Sequence, residues 1–104
     1  MDFRADAAEF VQRELGNRRP GLVWVLSHSI MWQYMPPASK DAITDALHRA
    51  GGSATTDAPV AWLRMEPLDT RNAYATLSLT LWPGGETRHL ARCDYHGRWI
   101  EWLD

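Results

Sequence analysis

The sequence predicts one α/β domain, residues 1–104, built on a mixed five-stranded sheet with its elements in the order αβαββββ. A chain of 104 residues is long enough for one hydrophobic core but not for two. Early in the chain, segments with helical spacing alternate with apolar runs, which is typical of strand–helix–strand units. Beyond Pro67 the predicted strands follow one another too closely for parallel crossovers, so the later part of the sheet is expected to be antiparallel.

The first helix is predicted to begin at Asp6, which is expected to cap it, and to end at Gly16. Its apolar residues recur at helical spacing, namely Ala7, Phe10, Val11 and Leu15. The run Leu22–Leu26 is apolar without alternation, the pattern of a strand covered on both faces. Residues 27–37 are expected to form a loop, with room for one helical turn.

The second helix is predicted to run from a Ser39 cap to Ala50 and to be ended by Gly51-Gly52. One apolar stripe supports it, formed by Ala42, Ile43, Ala46, Leu47 and Ala50. A strand at Val60–Glu66 follows. This strand–helix–strand order implies a right-handed parallel crossover.

Three more strands are predicted, at Ala75–Trp82, Thr87–Asp94 and Arg98–Leu103. In the first of them the leucines should face one way and the hydroxyl side chains the other: Leu77, Leu79 and Leu81 against Thr76, Ser78 and Thr80. Two turns should reverse the chain, Pro83-Gly84-Gly85 and Tyr95-His96-Gly97.

Charge and composition exclude several classes of function. A net charge of -2 offers no field for a phosphate backbone, so no nucleic-acid partner is expected. Cys93 is the only cysteine, which excludes a disulfide framework and a zinc site built on several cysteines. The first residues lack the apolar stretch of a signal peptide and no apolar run is long enough to span a bilayer, so a cytoplasmic location without membrane contact is expected.

Four segments taken together resemble the carboxyl-terminal portion of a bacterial family, domain of unknown function 2332: VLSHSIMWQYMPP, APVAWLRMEP, LTLWPGGETRHLA and HGRWIEWL. The resemblance extends from about Ala5 to Leu103. Members of that family look considerably longer, with much of their sequence before the position of Met1, so this chain resembles a detached half. The resemblance implies no substrate, cofactor or catalytic residue.

At the level of fold, the element order resembles the second half of a class I S-adenosylmethionine-dependent methyltransferase sheet, a Rossmann-like arrangement. The glycine-rich turn that approaches the cofactor in such enzymes has no counterpart here. Gly84-Gly85 joins two predicted strands, and Gly51-Gly52 follows a helix. No cofactor is therefore expected.

The candidate catalytic residues are His28 and Glu66, which follow or end two neighbouring parallel strands. If the strands are adjacent, a carboxylate beside the imidazole would suit a general base. The alternative is structural: His28 caps a strand end and Glu66 pairs with Arg64 or a surface arginine. The candidate ligand-binding residues near these ends are Ser29, Trp32, Tyr34, Arg64 and His96.

No metal site is expected at His89 and Cys93, because four residues along one strand separate them by roughly 13 Å. Cys93 is interpreted as a small buried thiol. Arg88 and Arg92 are expected to share one strand face with Asp94, as a solvated or locally paired surface.

Two functions from different classes follow. In the first, the domain is catalytically incomplete alone and works by association. It binds either a second copy or a partner that supplies the missing half. The second is a methyltransferase-like small-molecule enzyme or ligand-binding domain, with Glu66 and residues 27–37 at its site. Self-association is expected because Leu22–Leu26 would lie at the sheet edge, and because two helices would leave tryptophans without cover, namely Trp62, Trp82 or Trp102. If the first helix covers that edge instead, the chain is monomeric.

Overall fold

The computed structural model describes residues 3–69, 71–96 and 98–103, and its elements follow the predicted order. The helices are α1 (Phe3–Leu15) and α2 (Pro37–Gly52), and a 3-10 turn, η1, spans Trp32–Tyr34. The strands are β1 (Trp24–Ser29), β2 (Val60–Glu66), β3 (Ala75–Trp82), β4 (Glu86–Cys93) and β5 (Ile100–Trp102). The glycine of the turn predicted at residues 95–97 lies outside the described residues.

The five strands form one sheet in sequential order, β1-β2-β3-β4-β5. β1 and β2 are parallel, whereas each later neighbour pair is antiparallel. The mixed five-stranded sheet and the parallel crossover predicted from the sequence are therefore confirmed.

The helix ends differ from the prediction in three places. Asp6 lies inside α1 rather than at its cap, although α1 does end just before Gly16. α2 begins at Pro37 after an extended Pro36, so Ser39 lies within its first turn. Proline suits the first helical position because its fixed φ is already helical and no backbone N–H is left unpaired there.

Gly51 lies within α2, not beyond it, and Ser53 is the C-cap, with its backbone N–H donating to the carbonyls of Ala50 and Gly51. A Cβ at Gly51 would overlap the indole ring of Trp82. This glycine therefore permits close approach of α2 to the sheet and does not end the helix.

β1 begins two residues later than predicted and includes Ser27–Ser29, which the sequence had suggested to be loop. The prediction that Leu22–Leu26 is covered on both faces is wrong. Leu22 and Val23 are exposed and precede the strand, and Val25 is 50% exposed. The reason is that β1 is the edge strand and one face of the sheet carries no helix, as described below.

A β-bulge in β4 alters the predicted faces. Leu77 pairs with Ala91 but Ser78 pairs with His89, which leaves Leu90 as an extra residue. As a result Arg88 and Arg92 lie on opposite faces of the sheet, and the prediction that they share one face is wrong. The ends of β2 and β3 are confirmed, whereas β4 begins and ends one residue early and β5 is shorter than predicted.

Both helices pack on the same face of the sheet. One hydrophobic cluster joins α1 and α2 to the strands, and its strand members all share that face: Trp24, Leu26, Val60, Trp62 and Trp82. Trp62 and Trp82 are each only 7% exposed. The expectation that these two tryptophans lack cover is therefore wrong, because the helix layer buries them.

The other side of the sheet, here called the open face, carries no element of the described chain. Its side chains form rows across the strands, and the longest apolar row is Met65–Leu77–Ala91–Trp102. In β3 the leucines point to this face, partly or largely exposed, while Thr76, Ser78 and Thr80 are buried on the helix side. The shortest dimension of the molecule, 18 Å, fits one sheet plus one helix layer.

Candidate functional site

His28 and Glu66 meet at the end of the parallel strands, as the sequence predicted. His28 on β1 pairs with Arg64 on β2, and Arg64 precedes Glu66 by two residues, so that Arg64 and Glu66 lie on the same face. The imidazole Nδ1 is 2.6 Å from Glu66 Oε2, and the two side chains are 5% and 9% exposed. We call this pair the His28–Glu66 junction.

The hydrogen bonds of the imidazole define its tautomer. The indole Nε1–H of Trp62 donates to His28 Nε2 at 2.9 Å. Because an indole N–H only donates, Nε2 must be the unprotonated nitrogen, so Nδ1 carries the proton and donates to Glu66. The ring of Trp32 stacks on the imidazole, with centroids 5.1 Å apart and planes inclined by 15°.

Glu66 also fixes the chain after β1. The backbone N–H groups of Met31 and Trp32 donate to its carboxylate at 3.1 to 3.3 Å. The carboxylate thus holds the start of η1 in place and sets the position of the Trp32 indole. Arg64 is not a partner of Glu66 among the described residues, contrary to one alternative considered above; its hydrogen bond goes to Thr80 instead.

This arrangement bears on the catalytic role suggested for His28. A general base needs a free lone pair within reach of substrate, and here the Nε2 lone pair accepts from Trp62. Catalysis by His28 would require that bond to open. The catalytic role of the pair stays a prediction, while its structural role is evident from the contacts.

Arg64 lies next to the junction, where the helix layer ends and the sheet's helix side becomes polar. Its guanidinium lies over the Trp62 ring, 4.1 Å from the centroid, and its Nη2 donates to Thr80 Oγ1 at 2.7 Å. The Nε atom is buried without a hydrogen-bond partner in the described structure. Burial lowers the pKa of the Arg64 guanidinium from its usual value.

A cleft of about 220 Å³ opens beside this guanidinium, and we call it the Arg64 cleft. It is lined by Trp32, Trp62, Arg64, Glu66, Pro67, Leu68, Ser78, Thr87 and His89. Three residues predicted from the sequence therefore meet here: Trp32, Arg64 and Glu66. Ser29, Tyr34 and His96 do not line the cleft. Ser29 points to the open face, and His96 lies in the β4–β5 connection.

The sequence did not predict the part of the cleft that β3 and β4 form. Ser78 and His89 join it because the strand register places them in one row with Arg64. Ser78 Oγ and His89 Nδ1 are 2.9 Å apart, and the hydroxyls of Thr80 and Thr87 are 2.6 Å apart. Alternating hydroxyl residues in β3 were the available signal, but their partners depend on the bulge at Leu90.

The described residues include no candidate metal-binding group and no candidate membrane-spanning helix. No group of three or more His, Cys, Asp and Glu side chains among those residues could hold a metal ion. His89 and Cys93 lie on opposite faces of the sheet, and burial raises the pKa of the Cys93 thiol. No described helix is long and apolar enough to cross a membrane. The cytoplasmic location stays a prediction.

Comparison with known protein families gave a match over nearly the whole chain. A protein-family model matches residues 3–102, and its description is an uncharacterized protein conserved in bacteria. Searches of the curated proteins and of the solved structures found no match. The resemblance to a methyltransferase sheet therefore gains no support from a structural neighbour.

Proposed function

The chain belongs to the bacterial family DUF2332, and we propose that this domain acts by association: its open face packs against the open face of a second copy. The observation that carries the proposal is the apolar row Met65–Leu77–Ala91–Trp102, over which no helix or strand lies in the described structure. Trp102 is exposed, Met65 and Leu77 are half-buried, and the small Ala91 is buried between its neighbours.

Several exposed side chains on this face are large and apolar. Val25 is 50% exposed, Leu81 46% and Trp102 64%. Soluble monomers rarely expose a contiguous apolar patch larger than a few hundred Å², because such surface is unfavourable in water. A second layer over the face would remove this cost.

The area of the open face approaches what a dimer needs. Five strands about 4.8 Å apart and up to eight residues long, at about 3.3 Å per residue, give a face of roughly 500 Å². Two such faces would bury about 1,000 Å², close to the roughly 1,200 Å² at which stable interfaces begin.

A second copy suits the face chemically. The centre of the face is apolar, and the charges shown by strand register lie at one corner, where Glu86 and Arg88 occupy alternate positions on β4. Since these two have opposite signs, a two-fold arrangement can place unlike charges together. Val25 also lies at the edge of the sheet, because β1 has only one neighbouring strand among the described residues and an edge strand can pair with a partner strand.

The second candidate is a methyltransferase-like enzyme assembled from two parts. The one-sided helix layer favours it, because a doubly wound sheet carries helices on both faces and a missing half would supply the second layer. In that case the open face would be covered by the partner and not by a copy.

Light scattering across a dilution series separates these possibilities. The dimer proposal predicts twice the chain mass of 11.9 kDa at tens of micromolar, and a fall toward the single-chain mass on dilution. The single-chain mass at every concentration would reject self-association and leave a different partner as the occupant of the face.

A further inference from the structure

The Arg64 guanidinium is a cation that the described structure leaves without a counter-ion. No carboxylate among the described residues forms an ion pair with it; its contacts are the Trp62 ring and the Thr80 hydroxyl. Its Nε lacks a partner although it is buried. Buried polar groups are nearly always hydrogen-bonded, so an exception at the wall of a cleft points to a function.

The cation is held ready for an anion. Stacking on Trp62 and the bond from Nη2 to Thr80 fix the guanidinium plane. Nη1 has no hydrogen-bond partner in the described structure and, unlike Nε, is not among its buried atoms. A planar donor fork fixed in advance binds a carboxylate with little loss of side-chain entropy. Ser78, Thr87 and His89 on the neighbouring strands add hydroxyl and imidazole groups to the lining of the cleft.

The remaining walls determine what accompanies the anionic group. Trp32, Pro67 and Leu68 form an apolar side, suited to a flat hydrocarbon or aromatic body. Glu66 also lines the cleft, and its negative charge would repel a dianion more than a monoanion. The volume of about 220 Å³ lies below the roughly 300 to 1,000 Å³ usual for drug-sized ligands, so the ligand must be small.

We propose that the Arg64 cleft is a binding site for a small organic monocarboxylate, with its carboxylate on the Arg64 guanidinium and its apolar body against Trp32 and Leu68. The cleft lies on the helix side of the sheet, so this site is independent of the open face. Loss of dimerisation would not affect it, and absence of the ligand would not affect the dimer.

Benzoate is the probe, followed by two-dimensional nitrogen–proton NMR of the uniformly labelled protein. Benzoate should shift the side-chain Nε–H of Arg64 and the indole N–H signals of Trp32 and Trp62 together, with one saturating curve. Benzamide, the neutral isostere, should bind at least about tenfold more weakly, because a hydrogen bond to a charged group is lost. Inorganic phosphate should bind more weakly than benzoate.

Arg64→Met is the decisive variant. It keeps an apolar chain over Trp62 and removes the buried Nε that has no partner, while Thr80 keeps its hydrogen bond with Thr87. Folding should therefore be retained, as the dispersion of the spectrum will show. Affinity for benzoate should fall at least about tenfold. Arg64→Lys keeps the charge without the flat fork and should bind with intermediate affinity. Arg49→Met, on the exposed side of α2, is the matched control and should bind as the unaltered protein does.

The proposal is overturned if benzoate produces no saturating shifts at these signals, if benzamide binds as tightly as benzoate, or if Arg64→Met binds like Arg49→Met. Equal or tighter binding of phosphate would also overturn it, because the cleft would then select an inorganic oxyanion.

Discussion

Trp62 donates its indole N–H to Nε2 of His28 at 2.9 Å, and this bond turns the imidazole so that its Nδ1 proton points to Glu66. One tryptophan thus serves two neighbours, because its ring also lies under the Arg64 guanidinium. The His28–Glu66 junction and the Arg64 cleft are therefore parts of one network, in which Trp62 sets the orientation of both polar side chains.

The tautomer of His28 follows from these bonds. We expect the proton to reside on Nδ1 in the folded protein at neutral pH, because Nε2 accepts from an obligatory donor. Long-range nitrogen–proton correlation spectra of the imidazole report the tautomer directly. A dominant Nε2–H form would mean that the Trp62 bond does not exist in solution.

Glu66→Gln should destabilise the fold. The amide keeps one carbonyl acceptor but replaces the second carboxylate oxygen with a donor, which opposes the N–H groups that now point to the carboxylate. The free energy of unfolding should fall by about 1 to 3 kcal/mol in urea titration. Glu9→Gln on the exposed side of α1 is the control and should change it by less than about 0.5 kcal/mol. Equal effects would show that Glu66 does not anchor η1.

Two neighbouring glycines should respond in opposite ways to alanine. Gly51→Ala places a methyl group against the Trp82 ring and should cost about 1 to 3 kcal/mol through overpacking. Gly52→Ala meets nothing within 4 Å and should be neutral or stabilise the helix by up to about 1 kcal/mol. Thermal and urea unfolding measure both. If both variants have the same stability, α2 does not pack on Trp82 as described.

Stability should fall in acid partly through Asp94. The Arg98 guanidinium, together with the backbone N–H groups of His96 and Arg98, holds the pKa of this carboxyl far below its usual range. A group whose folded pKa is depressed stabilises the fold above its unfolded pKa, near about 3.9, and loses that contribution as pH falls below it. Urea titrations at pH 7 and pH 3 should therefore show a smaller decline for Asp94→Asn than for the unaltered protein. Identical declines would contradict the assignment.

The order of elements could be predicted because helix stripes and strand runs are local signals. The approach of His28 to Glu66 was predictable for a related reason: parallel neighbouring strands deliver their carboxyl ends to the same edge of the sheet. These features depend on short segments of sequence and on one rule of topology.

Other features depend on contacts that no local pattern records. The extra residue Leu90 reverses the faces of β4, and one inserted residue leaves no periodic signal. Hydrophobic patterning alone would place the β3 leucines against the helices, yet Thr76 and Ser78 lie on the buried side. The contact of Gly51 with Trp82 depends on how α2 packs on the sheet, and the pairing of Ser78 with Arg64 depends on the register of β2 and β3.

The association of open faces is tested most directly by two matched lysine variants. Leu79→Lys places a charge at the centre of the open face, whereas Phe10→Lys replaces an exposed apolar residue of α1 on the opposite layer. Sedimentation equilibrium at tens of micromolar should give twice the chain mass of 11.9 kDa for the unaltered protein and for Phe10→Lys. Leu79→Lys should remain folded by circular dichroism and sediment as a single chain. If Leu79→Lys remains a dimer, the open face is not the interface.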